Sequence, residues 1–396
     1  MDDLDHRVLG QRQDLFHLQE EARGSVFWHP RGFAIYRALE DFVRERMRRL
    51  GFREIRTPQL VDASLWERSG HLEKFREAMF LIEDGDRLFA LKPMSCPCHV
   101  QVFNQGIVSW RQLPVRYAEF GACHRNEASG ALHGIMRTAA FVQDDAHVFC
   151  REDQIEEEVG RFVRLLSDMY ADLGFPSFEV ALSTRPSNKA GDDALWDRAE
   201  ALLAATARAC GLEFAVKPGE GAFYGPKLEF VLTDRMGRKW QCGTVQLDFV
   251  LPGRLGAGYV APDGSRRVPV MIHHAVLGSM ERFIGILLEH YGGRLPFDLT
   301  PDQVAVMPVS RQHAAYAATV HKVLSDAGLR CVLDDASSTL QRRIVGARAM
   351  GIPVVAVVGS REEATGNVSL RDMHSEIGSV SLDGAAAAIR EAARRR

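Results

Sequence analysis

The feature that most restricts the fold is a change of texture at residues 296–303, PFDLTPDQ. Before it, β-rich pieces (FALKPMS, VRYAEFGACHR, FVQDDAHVF, LEFVLTD and WQCGTVQLDF) are interspersed with helices such as the stretch from Glu152 to Gly174. Their order and spacing are not the strand–helix–strand alternation of a doubly wound fold. An antiparallel sheet with surrounding helices is therefore predicted. The run from Gly32 to Leu50 carries apolar residues at helical spacing and stops at Gly51, so it reads as an amphipathic helix. After the Pro and Asp cluster the pattern is regular: strand QVAVMPV, helix HAAYAATVHKVLSDAG, strand RCVLDD, helix TLQRRIVGARAMG, strands IPVVAVVG and NVSLRD, and a closing helix AAAAIREAARRR. That is a compact α/β domain with parallel strands. The expected fold class is α+β, with residues 1–297 as the antiparallel-sheet domain and residues 298–396 as the α/β domain.

A chain of 396 residues, 46% hydrophobic and 26% charged, has room for the two cores this division needs. Its seven cysteines are odd in number and scattered, unlike a secreted disulfide framework, which points to a reducing cytoplasm. The start MDDLDHRVLGQ is acidic and polar and so is no signal peptide. No apolar run approaches the roughly 20 residues that span a bilayer, so no membrane role is expected. Net charge is −3, and only seven of the 49 basic residues are lysines. A GC-rich genome explains that arginine bias as readily as phosphate binding does, so single arginines inform only inside motifs.

Four stretches hold polar residues densely inside apolar surroundings: KPMSCPCHV (92–100), FGACHRNEASG (120–130), FVQDDAHVFC (141–150) and PVMIHHAVLGSMERF (269–283). A buried Asp-Asp-x-His or His-His is costly unless its groups are paired or ligate something. Cys96, Cys98 and His99 cannot by themselves close a tetrahedral zinc site, because ligands one residue apart, here across Pro97, converge poorly. Any metal must draw ligands from elsewhere. Cys96, His147 and His273 or His274 supply one thiolate and two imidazoles, a set zinc accepts with one position left open. The competing readings are satisfied core histidines and a Cys-x-Cys redox pair. Arg125, Arg137 and Arg282 are candidates for a polyphosphate, with an ordinary salt bridge as the alternative for each. No Gly-rich phosphate loop is present, which removes the Rossmann and P-loop readings.

Taken together these stretches resemble the threonyl-tRNA synthetases, class II aminoacyl-tRNA ligases, from FHLQEEARGSVFWHPRG to the C-terminal domain. LWERSGH with Pro58 resembles the first class II motif, AEFGACHRNEASGALHGIMR the second and HHAVLGSMERFIGILLEH the third. QDDAHVF, GEGAFYGPKLEF and KWQCGTVQLDF resemble the strands of the amino-acid pocket. The resemblance implies a class II catalytic domain, a C-terminal anticodon-binding-type domain and a homodimer. It implies Cys96, His147 and His273 as zinc ligands, with Cys98 outside the set. The zinc would take threonine through its amino and hydroxyl groups, and Asp145 would accept the hydroxyl proton. Met94, Gln143, Tyr224 and Gln246 would surround the amino acid. Arg125 would hold the α-phosphate and carboxylate, and Arg282 would lie beside the adenine and γ-phosphate. Arg137 would partner Arg282, with Phe141 under the base, and Glu127 and Gln241 completing an ATP site served by Mg²⁺. His71 is the implied candidate for helping transfer to the terminal adenosine of threonine tRNA.

The chain also departs from that pattern. Cys98 stands where glycine is usual and His274 where arginine is usual. Ala139, Ala140 and Val142 replace a cation, a glycine and a hydroxyl in the second-motif loop. The segment DDASSTLQRR is less basic than its counterparts, although Arg371 matches. The expectation is a form lacking the N-terminal and editing domains, a second copy that tolerates an inhibitor. Alternatives are a paralogue passing activated threonine to a non-tRNA acceptor, and a regulatory relative without catalysis.

Overall fold

A computed structural model describes residues 3–373 and 375–394. By contact the chain forms two compact units, one of residues 18–26 and 40–286 and the other of residues 1–17, 27–39 and 287–396. No helix among the described residues is long and apolar enough to cross a membrane.

The first unit is built on an eight-stranded sheet. Its strands are β1 (Arg53–Glu54), β2 (Val115–His124), β3 (Ala140–Cys150), β4 (Glu179–Ser183), β5 (Ala215–Lys217), β6 (Lys227–Thr233), β7 (Lys239–Asp248) and β8 (Val270–Ala275), in the spatial order β5-β4-β6-β7-β8-β3-β2-β1. The outermost junctions, β5 with β4 and β2 with β1, are parallel, and those between are antiparallel, as the irregular sequence texture predicts. Two of the helices around this sheet are α1 (Cys96–Phe103) and α2 (Ile155–Asp172). Helix α2 opens with Glu156, Glu157 and Glu158, charges that favour a helix N-terminus. Its buried residues Val159, Phe162, Val163, Leu166, Met169 and Tyr170 recur at helical spacing and cover the reverse face of β7 and β8.

Side chains alternate across a strand, so register decides what meets on the open face. Tyr117 pairs with His147, His147 with His273, His273 with Gln246 and Gln246 with Lys227, a single row across β2, β3, β8, β7 and β6. The next row, Ala118, Ala146, His274 and Val245, faces the other way. His274 is accordingly buried on the reverse face, edge-on to Phe52 at 5.2 Å and against Phe162 at 4.5 Å. The histidine pair is thus divided by parity.

In the second unit a five-stranded sheet runs β9 (Val304–Pro308), β10 (Cys331–Leu333), β11 (Val354–Val358), β12 (Asn367–Asp372) and β13 (Glu376–Ser381), in the order β10-β9-β11-β12-β13. Apolar side chains of β9 and β11 point to both faces, into two separate cores, which is why these strands read as unbroken hydrophobic runs. The expectation of parallel strands holds for β10, β9 and β11 and fails for β12, which is antiparallel, as is β13, a strand the sequence reading did not include. The link from β11 to β12 holds only the short helix Ser360–Thr365, ended by a left-handed Gly366. That is below the dozen or so residues a parallel crossover requires. Arg343, in the segment DDASSTLQRR, is buried here. It pairs with Asp334 and donates to the carbonyls of Pro308 and Ser338 at 2.9 and 3.0 Å.

Candidate active site and metal cluster

A cleft of about 620 Å³ opens on the front face of the eight-stranded sheet. It is lined by every site residue named from the sequence except His71. At one part of it Cys96, the first residue of α1, meets His147 of β3 and His273 of β8, their ligand atoms all within 4.8 Å of one another. Cys98 is turned away, hydrogen-bonded to Thr57 and beside Lys92 and Glu119, and burial pushes its thiol up to about 11. It lies off the metal cluster and does not line the cleft.

The hydrogen bonds around the two histidines fix their protons. Asp248 takes the N–H groups of Val250 and Leu251 on one oxygen and faces His273 Nε2 with the other at 2.9 Å. An ionised carboxylate only accepts, so His273 donates from Nε2 and its Nδ1 is bare. On the other side the buried Lys92 ammonium lies 3.1 Å from Glu119, which also accepts from the Thr57 N–H at 2.7 Å. Burial raises the Glu119 carboxyl, but the bonds from His99, Thr57 and Lys92 outweigh it and hold the group down at about 2. Glu119 Oε2 is 3.1 Å from His99 Nε2, and His99 Nδ1 is 2.9 Å from His147 Nδ1. Passing the donors along this chain leaves His147 Nε2 bare as well.

Two bare nitrogens therefore face each other at 3.1 Å, with the Cys96 sulfur beside them. Opposed lone pairs repel, so the arrangement calls for a cation between them. Tetrahedral zinc with two nitrogen ligands would set them about 3.3 Å apart. Burial also pushes the Cys96 thiol well above its ordinary range and the His147 imidazole well below, so a thiolate here needs a positive neighbour. The donor set fits zinc.

The polar groups around this cluster are arranged for a small ligand. The Tyr224 ring stacks on His273 at 5.0 Å and its hydroxyl donates to Gln246 at 3.1 Å. Asp145, opposite Glu119 in the register, is buried, and that burial raises its carboxyl. Its neighbour Asp144 points to the reverse face and accepts the N–H groups of Val276, Leu277 and Gly278 at 2.8 to 2.9 Å. Glu281 accepts the Val142 N–H at 3.0 Å and the Ser279 hydroxyl at 2.9 Å. These two carboxylates tie β3 to the turn that opens the helix Met280–His290 and so aim Arg282 into the cleft.

Arg282 and Arg125 line the cleft without an ion-pair partner among the described residues, and Arg282 Nε is buried with no hydrogen-bond partner. Arg125 donates to the Pro93 carbonyl at 3.2 Å and sits 5.1 Å over the Phe141 ring. Arg137, by contrast, is paired with Glu127 at 2.7 Å. Met94, Gln143 and Gln241 complete the wall. Ala139, Ala140 and Val142 do not line the cleft, so those departures leave its surface groups in place.

His71 is the exception, being fully buried behind Met94. His71 Nε2 lies 2.9 Å from the Met94 sulfur, a thioether that only accepts, so Nε2 donates and Nδ1, 2.8 Å from the Ser69 hydroxyl, is the accepting nitrogen. Burial lowers this imidazole to about 3. Sequence reading missed Lys92, His99, Glu119 and Asp248, and also Lys227, which lines the cleft with its amine 2.6 Å from Glu229. The available signal was parity: Glu119 stands on the same face as Tyr117, two residues along β2.

Comparison with known proteins gives the following. The model of the tRNA synthetase class II core domain (G, H, P, S and T) matches residues 79–291, and that of the anticodon binding domain matches residues 303–392. The threonine–tRNA ligase of Rhodospirillum rubrum is 56% identical over 367 residues, 93% of this chain and 57% of the relative. That of Nitrosomonas eutropha is 52% identical over 388 residues, 98% of this chain and 61% of the relative. The chain thus spans about three fifths of the length of these curated relatives. A crystal structure described as the RNA binding domain of threonyl-tRNA synthetase from Cryptosporidium parvum Iowa II superposes with a TM-score of 0.95 at 38% identity, covering 98% of each chain.

Proposed function

The chain belongs to the threonyl-tRNA synthetase family of class II tRNA synthetases, and on that premise we propose that it activates L-threonine with ATP and passes it to threonine tRNA. The observation that carries this reading is that one cleft holds both the Cys96–His147–His273 cluster and two arginines without ion-pair partners. A module that only binds has no need of both.

Cys96, His147 and His273 would hold zinc, which when bound supplies a Lewis-acid contact for the amino and hydroxyl groups of threonine. Asp145 accepts the substrate hydroxyl proton, while Tyr224 and Gln246, locked to each other, shape the wall beside it. Arg125 takes the negative charge of the threonine carboxylate and the α-phosphate, which lets two anions approach in line. Arg282 receives the outgoing pyrophosphate, and Phe141 offers a ring face to the base. Charge stabilisation and positioning carry this step, with Mg²⁺ accompanying ATP. Arg137 reaches phosphate only by leaving Glu127. His71 would assist the transfer step only once Met94 moves aside and frees its Nε2.

Residues 298–396 serve as the anticodon-binding domain beside a catalytic region at 1–297. The chain works as a homodimer in a reducing cytoplasm. The deciding experiment is pyrophosphate exchange into ATP with threonine, run beside transfer to threonine tRNA. Exchange with no transfer to any tRNA would move the reading to another acceptor, and absence of exchange would remove it.

A further inference from the structure

The two histidines of the cluster are oriented differently. His273 is held directly by Asp248 at 2.9 Å, whereas His147 touches no carboxylate through its Nδ1 and meets His99 instead. His99 lies in α1, fully buried, with its far nitrogen 3.1 Å from Glu119. We infer that His99, anchored by Glu119, is the positioning residue that fixes the tautomer and ring orientation of His147 and thereby makes the cluster able to take a metal. This rests on the zinc reading given above.

The direction of each bond follows from who can donate. Glu119 is an acceptor already facing the Thr57 N–H at 2.7 Å, the Thr57 hydroxyl at 2.9 Å and the Lys92 ammonium at 3.1 Å. It has no hydrogen to give His99, so His99 donates from Nε2 and accepts at Nδ1. The reverse tautomer would set a bare ring nitrogen against the Glu119 carboxylate 3.1 Å away, two acceptors facing each other. A lysine, a glutamate and a histidine buried together are costly in a core that apolar residues could fill. Packing alone does not account for the set, since its last member ends on a metal-facing imidazole. Outer partners of this kind orient a ligating imidazole and raise its basicity, and their loss typically lowers metal affinity 10- to 100-fold.

The test uses the full chain. Zinc affinity is measured by competition with a chromophoric chelator, with folding followed by circular dichroism and with Co²⁺ absorption as the spectroscopic signature. His99→Leu keeps bulk but cannot relay, and is expected to bind zinc about 10- to 100-fold more weakly with an altered Co²⁺ spectrum. His99→Gln, whose amide donates to Glu119 while its carbonyl accepts from His147, should recover most of the loss. Wild-type affinity in His99→Leu overturns the inference, as does a folded His99→Gln no better than His99→Leu. Should His99→Leu fail to fold, long-range proton–nitrogen correlation on the ¹⁵N-labelled wild type decides. The expected forms are His99 protonated at Nε2 and His147 at Nδ1, and the opposite pair overturns it. The underlying zinc reading fails separately, if Cys96→Ser binds zinc as the wild type does.

Discussion

His147 Nε2 and His273 Nδ1 lie 3.1 Å apart with both of their protons committed elsewhere, one through His99 and one to Asp248. Two facing lone pairs repel unless a cation lies between them, and the Cys96 sulfur completes a three-ligand set. Elemental analysis of purified protein should find about one zinc per chain. Cys96→Ser should lower both metal content and threonine activation, while Cys98→Gly should leave metal content unchanged because Cys98 faces Thr57. Full occupancy in Cys96→Ser would reject the ligand set.

Substrate choice at the activation step follows from what each amino acid offers the cluster. Serine keeps the amino and hydroxyl groups and lacks one methyl, worth about 1 to 3 kcal/mol in a pocket. Valine lacks the hydroxyl that Asp145 would accept from. Pyrophosphate exchange should therefore run with serine at about a tenth to a two-hundredth of the threonine efficiency, and far lower with valine. Comparable rates with valine would show that the hydroxyl is not read.

Arg125 and Arg282 face the cleft without ion-pair partners among the described residues. Replacing either with alanine should lower kcat for threonine-dependent exchange by about 10²- to 10³-fold, the loss expected when a preorganised charge donor is removed. Arg137→Ala should cost less, because that guanidinium is already neutralised by Glu127. Equal losses for all three would place Arg137 on the phosphates and break the distinction.

Acid sensitivity has a definable part in His71. Burial lowers its pKa from 6.5 to about 3, so the folded state prefers the neutral ring. The unfolded chain takes up a proton below about pH 6.5 that the folded chain refuses, so this contribution is present above pH 6.5 and is lost as pH falls toward 3. Denaturant unfolding at pH 7.5 and 5 should show wild type losing more stability than His71→Asn. Identical losses would mean that His71 is not sealed from protons.

The buried Arg343 pairs with the half-buried Asp334, so that aspartate's charge is taken up within the second unit. Arg343→Ala leaves Asp334 partly buried and unpaired and should destabilise this unit by about 3 to 5 kcal/mol, read by chemical denaturation. The same pairing withdraws Arg343 from contact with RNA phosphates, while Arg342 beside it stays exposed. Transfer to transcripts with altered anticodons should then fall only modestly, whereas a sharp loss would show close reading of the anticodon bases.

Alternation along β3 and β8 was legible by itself: a strand turns every second side chain to one face, which groups Gln143, Asp145 and His147 and sets His273 apart from His274. The ligand chemistry of one thiol and two imidazoles is equally a local property of the chain. Tertiary structure alone decided which equal-parity residues would touch. Register across strands set the row Tyr117–His147–His273–Gln246–Lys227. Packing of α1 and of the segment before it brought His99 and Lys92 to Glu119, and strand register set Asp248, the last residue of β7, diagonal to His273. It was also packing that enclosed His71 behind Met94 and folded β12 and β13 back antiparallel. The physical reason is that periodicity reports the direction of a side chain relative to its own strand or helix, whereas partners 20 or more residues apart are selected by non-local burial and strand register, which leave no periodic trace.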